Sequence, residues 1–417
     1  MIVYEFKVKG KEKQYRAIDE AIRTSQFIQN KCLRYWMDNK NLGRYDLNKY
    51  CAVLAAEFPF ADELNSMARQ SAAERSWGAI SRFYGSVAVA SPRASNCKKK
   101  AKGKKGFPRF KKNCRSVEYK STGWKLSVTR KAITFSDKKG IGTLRLKGTY
   151  DLNYYDIKKI KRVRLVRRAD GYYAQFAIDV DVKVESEPAL QVVGIDLGLK
   201  YFIADNRGNV EPSPQFYRQS EKQLNRANRK KSKKFSKQRK KNKQKQSNNY
   251  HKARNRYARK HLRVSRQRKE YCKRLAYSVI QSNDLVAYED LNVKGLVRNR
   301  HLAKSISDAG WYTFRQWLEY FGHKYGKVTV AVPPHNTSQN CSSCGEKVKK
   351  SLSTRTHVCP HCNYVADRDI NASINILKLG LSTVGHTGIY ATGDLPSWAV
   401  GASLSSNGES VNVESPN

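Results

Sequence analysis

Two kinds of hydrophobic pattern follow one another along the first half of the chain. Residues 1–8 alternate between apolar and polar side chains as a β-strand does, and apolar residues then recur at helical spacing over residues 15–36 and about 66–85. From residue 124 to 182 the pattern is that of several strands, with a hairpin turn signal at residues 169–172 and one apolar face that continues to Val182. We therefore expect a small barrel or curved sheet that includes the first strand of the chain.

The second half of the chain places carboxylates at the ends of apolar segments. Residues 192–197 form a short apolar run that contains Asp196, and residues 285–290 form a second predicted strand that ends in Glu289 and Asp290. Asp369 precedes residues 372–377, whose apolar spacing predicts a helix. Taken singly, each acid can be a helix cap or a turn former. Together they could bind hard cations such as Mg²⁺, two of which activate a water and stabilise the leaving oxygen of a phosphodiester.

Two pairs of cysteines lie between the second and the third acid. Residues 305–311 are predicted to open a helix whose inward face carries Phe314, Leu318 and Phe321, and residues 327–332 form a strand. The C-x2-C-x14-C-x2-C spacing that follows, with each pair on a tight turn, is typical of a structural zinc site and comprises Cys341, Cys344, Cys359 and Cys362. Disulfides are the alternative, which a reducing compartment disfavours.

The net charge of the chain indicates which class of partner it binds. The 417 residues include 81 Lys and Arg against 35 Asp and Glu, which gives a formal net charge of +46. Because self-repulsion of this size opposes compaction, we expect a polyanion to neutralise it. No run of about 18 apolar residues is present, and the first residues lack the pattern of a signal peptide. We therefore expect an intracellular, cytoplasmic protein with no membrane partner.

Basic residues cluster in two segments that are candidates for nucleic-acid contact. A basic linker at residues 98–105 leads into a segment where aromatics alternate with cations, namely Phe107, Arg109, Phe110 and Lys111. The two phenylalanines could instead anchor the loop to the core. Residues 218–268 are the most basic part and predict either a long helical hairpin laid on nucleic acid or, over residues 230–249, a disordered loop. The candidate contacts there are Arg229, Lys230, Lys231, Lys233, Lys234, Arg239 and Lys240.

The order of these motifs resembles that of the TnpB family, transposon-encoded RNA-guided DNA nucleases related to compact type V CRISPR effectors. The resemblance rests on Gly-Phe-Pro-Arg-Phe at residues 106–110, Gly-Ile-Asp-Leu-Gly at 194–198, Tyr-Glu-Asp-Leu at 288–291, Ser-Ile-Ser-Asp-Ala-Gly-Trp at 305–311, the four cysteines, and Asp-Arg-Asp-Ile-Asn-Ala at 367–372. It extends over most of the chain, to about Leu379. Several motifs in the same order are far more specific than any one of them.

The resemblance implies an α+β multidomain protein. The expected parts are a wedge-like β-barrel (1–10 and 105–186), a helical recognition insert with the basic linker (11–104), an RNase H-like RuvC nuclease domain (187–335 and 365–380) with a basic helical insert (218–282), an inserted zinc ribbon (336–364) and a flexible tail (381–417). It also implies that Asp196, Glu289 and Asp369 form the magnesium-binding catalytic triad. Asp367 is the main alternative to Asp369 as the third acid.

The function implied is cleavage of target DNA beside a short flanking motif, with a guide RNA from the transposon end. In other guided effectors base pairing reads the sequence while the protein reads backbone shape and the flanking motif. The implied location is the prokaryotic nucleoid, and a separate transposase of the same element is a candidate partner. Two alternatives are a TnpB-like repressor that binds through the RNA without cutting, and a DDE-type transposase that joins strands without RNA.

Overall fold

Two units, Met1–Val182 and Lys183–Asn417, make up the chain. The computed structural model describes residues 1–88, 106–242, 244–351 and 354–384. The basic linker expected at residues 98–105 therefore lies outside the described residues, as does most of the tail expected at 381–417. Residues 381–383 of that tail are the last turn of a helix. No helix in the described ranges has the length and apolar character needed to cross a membrane.

Helices of the first unit follow the predicted apolar periodicity. The face of the first helix that carries Ile18, Ile22, Ile28 and Cys32 is fully buried, as predicted. The second helix has a weak pattern, with only Leu47, Cys51 and Leu54 buried, and the sequence did not predict it. The bounds are α1 (Glu12–Asp38), α2 (Arg44–Glu57), α3 (Pro59–Asp62) and α4 (Ser66–Ala88).

Seven strands of the first unit form one antiparallel sheet. They are β1 (Ile2–Lys9), β2 (Ser116–Lys120), β3 (Trp124–Leu126), β4 (Ala132–Phe135), β5 (Gly142–Lys147), β6 (Ile160–Arg168) and β7 (Gly171–Ile178). The predicted hairpin joins β6 to β7, but β7 ends at Ile178 and does not reach Val182.

Of the two expected forms, a small barrel or a curved sheet, the strand pairing gives an open half-barrel. Within the described residues the order is β2-β6-β7-β1-β5-β4-β3, and the edge strands β2 and β3 do not pair with each other. They are consecutive in the chain and separated only by a 3₁₀ turn at Ser121–Gly123, so the chain passes across the opening without closing it. The first strand lies inside the sheet, as predicted.

A second sheet, of five strands, forms the centre of the second unit. Its order is β10-β9-β8-β11-β12. Strands β8, β11 and β12 are parallel to one another, and β9 runs antiparallel to both of its neighbours, β8 and β10. A separate two-stranded ribbon consists of β13 and β14. The bounds are β8 (Val192–Asp196), β9 (Tyr201–Asp205), β10 (Val210–Pro212), β11 (Leu285–Glu289), β12 (Val328–Val332), β13 (Thr356–Val358) and β14 (Val365–Asp367).

The helices of the second unit include the predicted basic hairpin. They are α5 (Phe216–Lys233), α6 (Lys237–Lys241), α7 (Asn248–Gln281), α8 (Val293–Leu296), α9 (Ala303–Ala309), α10 (Trp311–Tyr325) and α11 (Arg368–Thr383). The single helix predicted from residue 305 was wrong. Gly310 has a φ of 77° and separates α9 from α10, so Phe314, Leu318 and Phe321 belong to a helix that begins at Trp311.

Two glycines allow α11 to lie directly on the central sheet. A Cβ at Gly194 in β8 would be 2.2 Å from the carbonyl oxygen of Ser373, and a Cβ at Gly380 would be 2.5 Å from the Cβ of Ala287 in β11. Any larger residue at either position would push the helix outward. The close approach brings the first turn of α11 to the sheet that carries the other two candidate acids.

Candidate active site and metal centre

Asp196 and Glu289 lie at the ends of two neighbouring parallel strands. The register pairs Leu285 with Val192 and Tyr288 with Ile195, so the next position along each strand places Glu289 beside Asp196. Parallel neighbours are about 4.8 Å apart and project their side chains to the same face. Glu289 is buried, at 8% exposure, and Asp196 is partly buried. The two strand ends therefore bring two carboxylates to one edge of the sheet.

Asp369 lies in the first turn of α11, where a carboxylate complements the helix dipole. It is buried, at 6% exposure, and forms ion pairs with Arg355 and Arg368, each with a shortest N···O distance of 3.0 Å. Asp367 has a different position. It is exposed, and its carboxylate caps α11 by accepting the backbone N–H of Asp369 at 2.8 Å.

Glu289 and Asp369 act electrostatically on Asp196. Burial, followed by the negative charges of Glu289 and Asp369, raises the pKa of Asp196 to about 8. Burial also raises the pKa of Glu289, and a hydrogen bond from the Thr337 hydroxyl partly offsets that shift. The strand register and the start of α11 bring these carboxylates to the same end of the sheet.

Thr337 connects Glu289 to the segment that enters the cysteine cluster. Its hydroxyl, buried at 5% exposure, donates to Glu289 Oε1 at 2.5 Å. Two asparagines of α11 hold the same segment: Asn375 donates to the carbonyls of Thr337 and Asn340, each at 2.8 Å, and Asn371 also donates to Asn340 at 2.8 Å. The helix that carries Asp369 therefore also fixes the partner of Glu289.

The four cysteines form a compact cluster. Cys341 and Cys362 have their Sγ atoms 3.6 Å apart, as do Cys344 and Cys359. A disulfide requires about 2.05 Å, whereas a tetrahedral zinc with Zn–S bonds of about 2.3 Å holds its sulfurs about 3.8 Å apart. Among the described residues these are the one group of three or more Cys, His, Asp or Glu side chains whose ligand atoms all lie within 4.8 Å of one another. This geometry could hold zinc.

The candidate contacts of the first unit lie in an exposed segment after the undescribed linker. Phe107 packs on Trp36 and Phe83, with ring centroids 5.5 and 5.3 Å away, yet is 52% exposed. Phe110 is 44% exposed, and Arg109 is exposed. Phe107 thus anchors the segment, as one of the two sequence interpretations proposed, and still presents part of its ring to solvent.

The candidate contacts of the second unit lie on the hairpin. Arg229, Lys230, Lys233 and Lys234 are exposed at the end of α5 and its C-cap, whereas Lys231 lies over the ring of Tyr257 at 4.4 Å. Arg239 and Lys240 are exposed on α6. Helices account for most of the stretch from 230 to 249, for which the sequence had left a disordered loop open.

Two side chains at the site were missed by sequence reasoning. Thr337 and Arg355 lie in loops or at strand edges, and their contacts join residues 48 and 14 positions apart. No local pattern marks either residue. Asn371 did have a signal, since it lies inside the Asp-Arg-Asp-Ile-Asn-Ala motif.

Two family models match the second unit. The model described as "Probable transposase" matches residues 175–300, and the model described as "Cas12f1-like, TNB domain" matches residues 311–376. The first of these matches covers Asp196 and Glu289, and the second covers Asp369 and the four cysteines.

Named relatives agree with these matches. The chain is 33% identical over 192 residues to a putative RNA-guided DNA endonuclease of Streptomyces pristinaespiralis, covering 46% of this chain and 45% of the relative. It is 27% identical over 291 residues to the putative RNA-guided DNA endonuclease InsQ of Escherichia coli, covering 66% and 68%. It is 34% identical over 134 residues to the TnpB-like protein L79 of Acanthamoeba polyphaga mimivirus, covering 30% and 26%. The chain thus spans less than half the length of the Streptomyces relative.

Among solved structures, the chain is similar to that of a Cas12f1-sgRNA-target DNA complex. The TM-score is 0.48 at 15% sequence identity, and the match covers 88% of this chain and 83% of the other.

Proposed function

The chain belongs to the TnpB family, and from this premise we propose that it is an RNA-guided DNA endonuclease. In this proposal the protein binds a guide RNA from the transposon end and cleaves target DNA beside a short flanking motif. The observation that supports the proposal is that Asp196 and Glu289 end neighbouring parallel strands and Asp369 lies in the first turn of α11, while burial and the charges of Glu289 and Asp369 raise the pKa of Asp196. We further propose that residues 187–335 and 365–380 are the RuvC nuclease domain.

These three acids are the proposed magnesium ligands. A set of carboxylate oxygens fits a hard divalent cation. Burial, followed by repulsion from Glu289 and Asp369, raises the pKa of Asp196, and a bound cation would relieve that repulsion. When bound, two Mg²⁺ ions supply an activated water and stabilise the leaving oxygen of the phosphodiester. Asp369 is preferred to Asp367 because Asp369 is buried beside the sheet, whereas Asp367 is occupied as an exposed helix cap.

The remaining residues of the site orient the acids and supply positive charge. Thr337 holds one oxygen of Glu289, which fixes the direction of its second oxygen. Arg355 is 45% exposed at its side chain and lies beside Asp369. Its guanidinium can exchange the carboxylate for an approaching phosphate, because the oxygens of either group can accept two parallel N–H bonds from arginine. The cysteine cluster is proposed to hold a structural zinc ion.

The test begins with expression of the gene together with its native flanking DNA. We expect protein purified at high salt to retain one RNA species with an end fixed near the gene boundary. That complex should cut matching DNA only when Mg²⁺ is present. Asp196→Ala should reduce cleavage to background and leave RNA retention unchanged.

Three other outcomes would contradict the proposal. Retained RNA without cleavage by the parent protein would indicate a guided repressor. Joining of transposon ends without RNA would indicate a DDE-type transposase. If the purified protein retained a random mixture of nucleic acid, or none, the proposal that it carries a guide RNA would be wrong.

A further inference from the structure

A groove between α5 and α7 is lined by two facing rows of cations. On α5 the row is Arg226, Lys230 and Lys234, and on α7 it is Lys252, Arg256 and Lys260. Each row advances by four residues, so successive cations lie on the same side of the helix about 6 Å apart along its axis. The helices run in opposite directions, and Lys260 near one end donates to Gln223 Oε1 at 3.0 Å. The groove has a volume of about 370 Å³.

The floor of the groove is small and uncharged. Ala227 and Ala253 lie between the two cationic rows, with Gln223 and Asn249 as the polar residues of the lining. Asn249 is in the first turn of α7, where unpaired backbone N–H groups and the helix dipole also favour an anion. The groove therefore offers room for a chain of atoms between two lines of positive charge.

Nothing in the described part of the protein neutralises these charges. None of the six cations is ion-paired with a carboxylate in the described ranges, and the sequence between Glu221 and Glu270 contains no Asp or Glu. Like charges four residues apart on a helix repel each other, so both rows oppose the structure that contains them.

Packing supplies little to offset that repulsion. The buried residues of α5 are Leu224 and Ala227, and α7 has no buried residue before Val264. The base of the hairpin is fixed, because the buried carboxylate of Asp308 accepts the backbone N–H of Tyr217 at 2.8 Å and the guanidinium of Arg268 at 2.8 Å. The groove lies beyond this anchored base, where repulsion between cations is larger than the stabilisation from packing.

We propose that this groove is a binding site for the phosphodiester backbone of one nucleic-acid strand, which lies between the two rows and contacts them alternately. The inference rests on the proposed function only in taking nucleic acid as the partner. It goes further in naming a built site with opposed walls, as distinct from the general positive charge of the hairpin. The cations of the lining suit contact with phosphates, which carry no sequence information.

The test compares two double variants that lose the same amount of positive charge at different positions on the hairpin. Arg226→Gln with Arg256→Gln removes one cation from each wall. The matched control, Lys222→Gln with Arg254→Gln, removes two exposed cations from the same helices at positions outside the lining of the groove. Full-length, RNA-free protein is titrated with labelled mixed-sequence single-stranded RNA and, separately, DNA across a salt series. The groove variant should lower the slope of log K against log salt by about 0.7 for each lost phosphate contact, and the control should change it much less.

A second pair of variants keeps the charge of the protein and changes the volume of a side chain, either inside the groove or outside it. Ala253→Leu fills the floor and should weaken binding several-fold, whereas Ala258→Leu, about 1.4 turns further along α7 and outside the lining of the groove, should not. Loss confined to RNA or to DNA assigns the strand, and both results support the site. Equal losses in groove and control variants, or unchanged binding by Ala253→Leu, overturn it. Guide retention and cleavage by the parent protein are measured separately, so the proposed function and the groove can fail independently.

Discussion

Helix α11 and the α5–α7 hairpin are held in the second unit in opposite ways. α11 packs on the sheet through Gly194 and Gly380 and hydrogen-bonds to the cysteine-bearing segment through Asn371. The hairpin has few buried side chains beyond its base and carries opposed rows of like charge. The comparison teaches that packing and hydrogen bonds within the protein hold the helix that carries Asp369, whereas the hairpin carries a positive charge that, in our proposal, an anionic partner neutralises.

The largest effect should come from breaking the close packing of α11. Gly194→Ala would place a methyl group 2.2 Å from the carbonyl oxygen of Ser373, so helix and strand must separate. We expect a loss of about 1–3 kcal/mol or more in the free energy of unfolding, measured by urea denaturation. Gly78→Ala, in α4 with nothing within 4 Å of the new methyl group, is the control and should gain up to about 1 kcal/mol. An unchanged stability of Gly194→Ala would show that α11 is not closely held.

The next effect concerns the charge on Asp196. Its folded-state pKa is raised to about 8 from an ordinary value near 3.8. The folded protein therefore binds more protons than the unfolded chain between these values, and stability falls as pH rises through this window. Asp196→Asn removes the penalty, so its melting temperature in magnesium-free buffer should exceed that of the parent by a margin that grows with pH and levels off above pH 8. Magnesium should shrink that margin. A margin independent of pH would contradict the placement of the three acids.

A smaller effect is expected from the hydroxyl that holds Glu289. Thr337→Val keeps the shape of the side chain but leaves a buried carboxylate without its hydrogen-bond donor. We expect the free energy of unfolding to fall by about 1–3 kcal/mol. Affinity for Mn²⁺, measured by calorimetry, should fall about 10-fold or more, as it does when outer partners of metal ligands are removed. Thr337→Ser retains the donor and should behave like the parent. Equal Mn²⁺ affinities in all three proteins would mean that Thr337 does not orient Glu289.

The smallest effect on global stability should appear in the hairpin. Amide hydrogen exchange in the first half of α7 is expected to be fast in the free protein and to slow several-fold when a polyanion such as heparin is added, because the bound anion relieves the repulsion. Exchange in α11 should be slow in both conditions. Equal protection of the two helices in free protein would remove the contrast between them.

Local pattern was enough to predict the elements that carry the acids. Asp196 ends β8, Glu289 ends β11, and Asp369 lies in the first turn of α11, as their apolar neighbours indicated. The helix predicted from residue 305 failed for a local reason as well. Gly310 adopts a left-handed conformation, and apolar spacing alone does not distinguish a glycine that ends a helix from one inside it.

The sequence by itself determined the periodicities, the cysteine spacing and the excess of positive charge, because each depends on residues close together in the chain or on composition. Only the tertiary structure decided that Asp369 is buried while Asp367 caps a helix, that Thr337 and Arg355 contact the acids, and that β2 and β3 leave the first sheet open. It also decided which hairpin cations face each other across a groove. These features depend on contacts between distant segments, which no local pattern encodes.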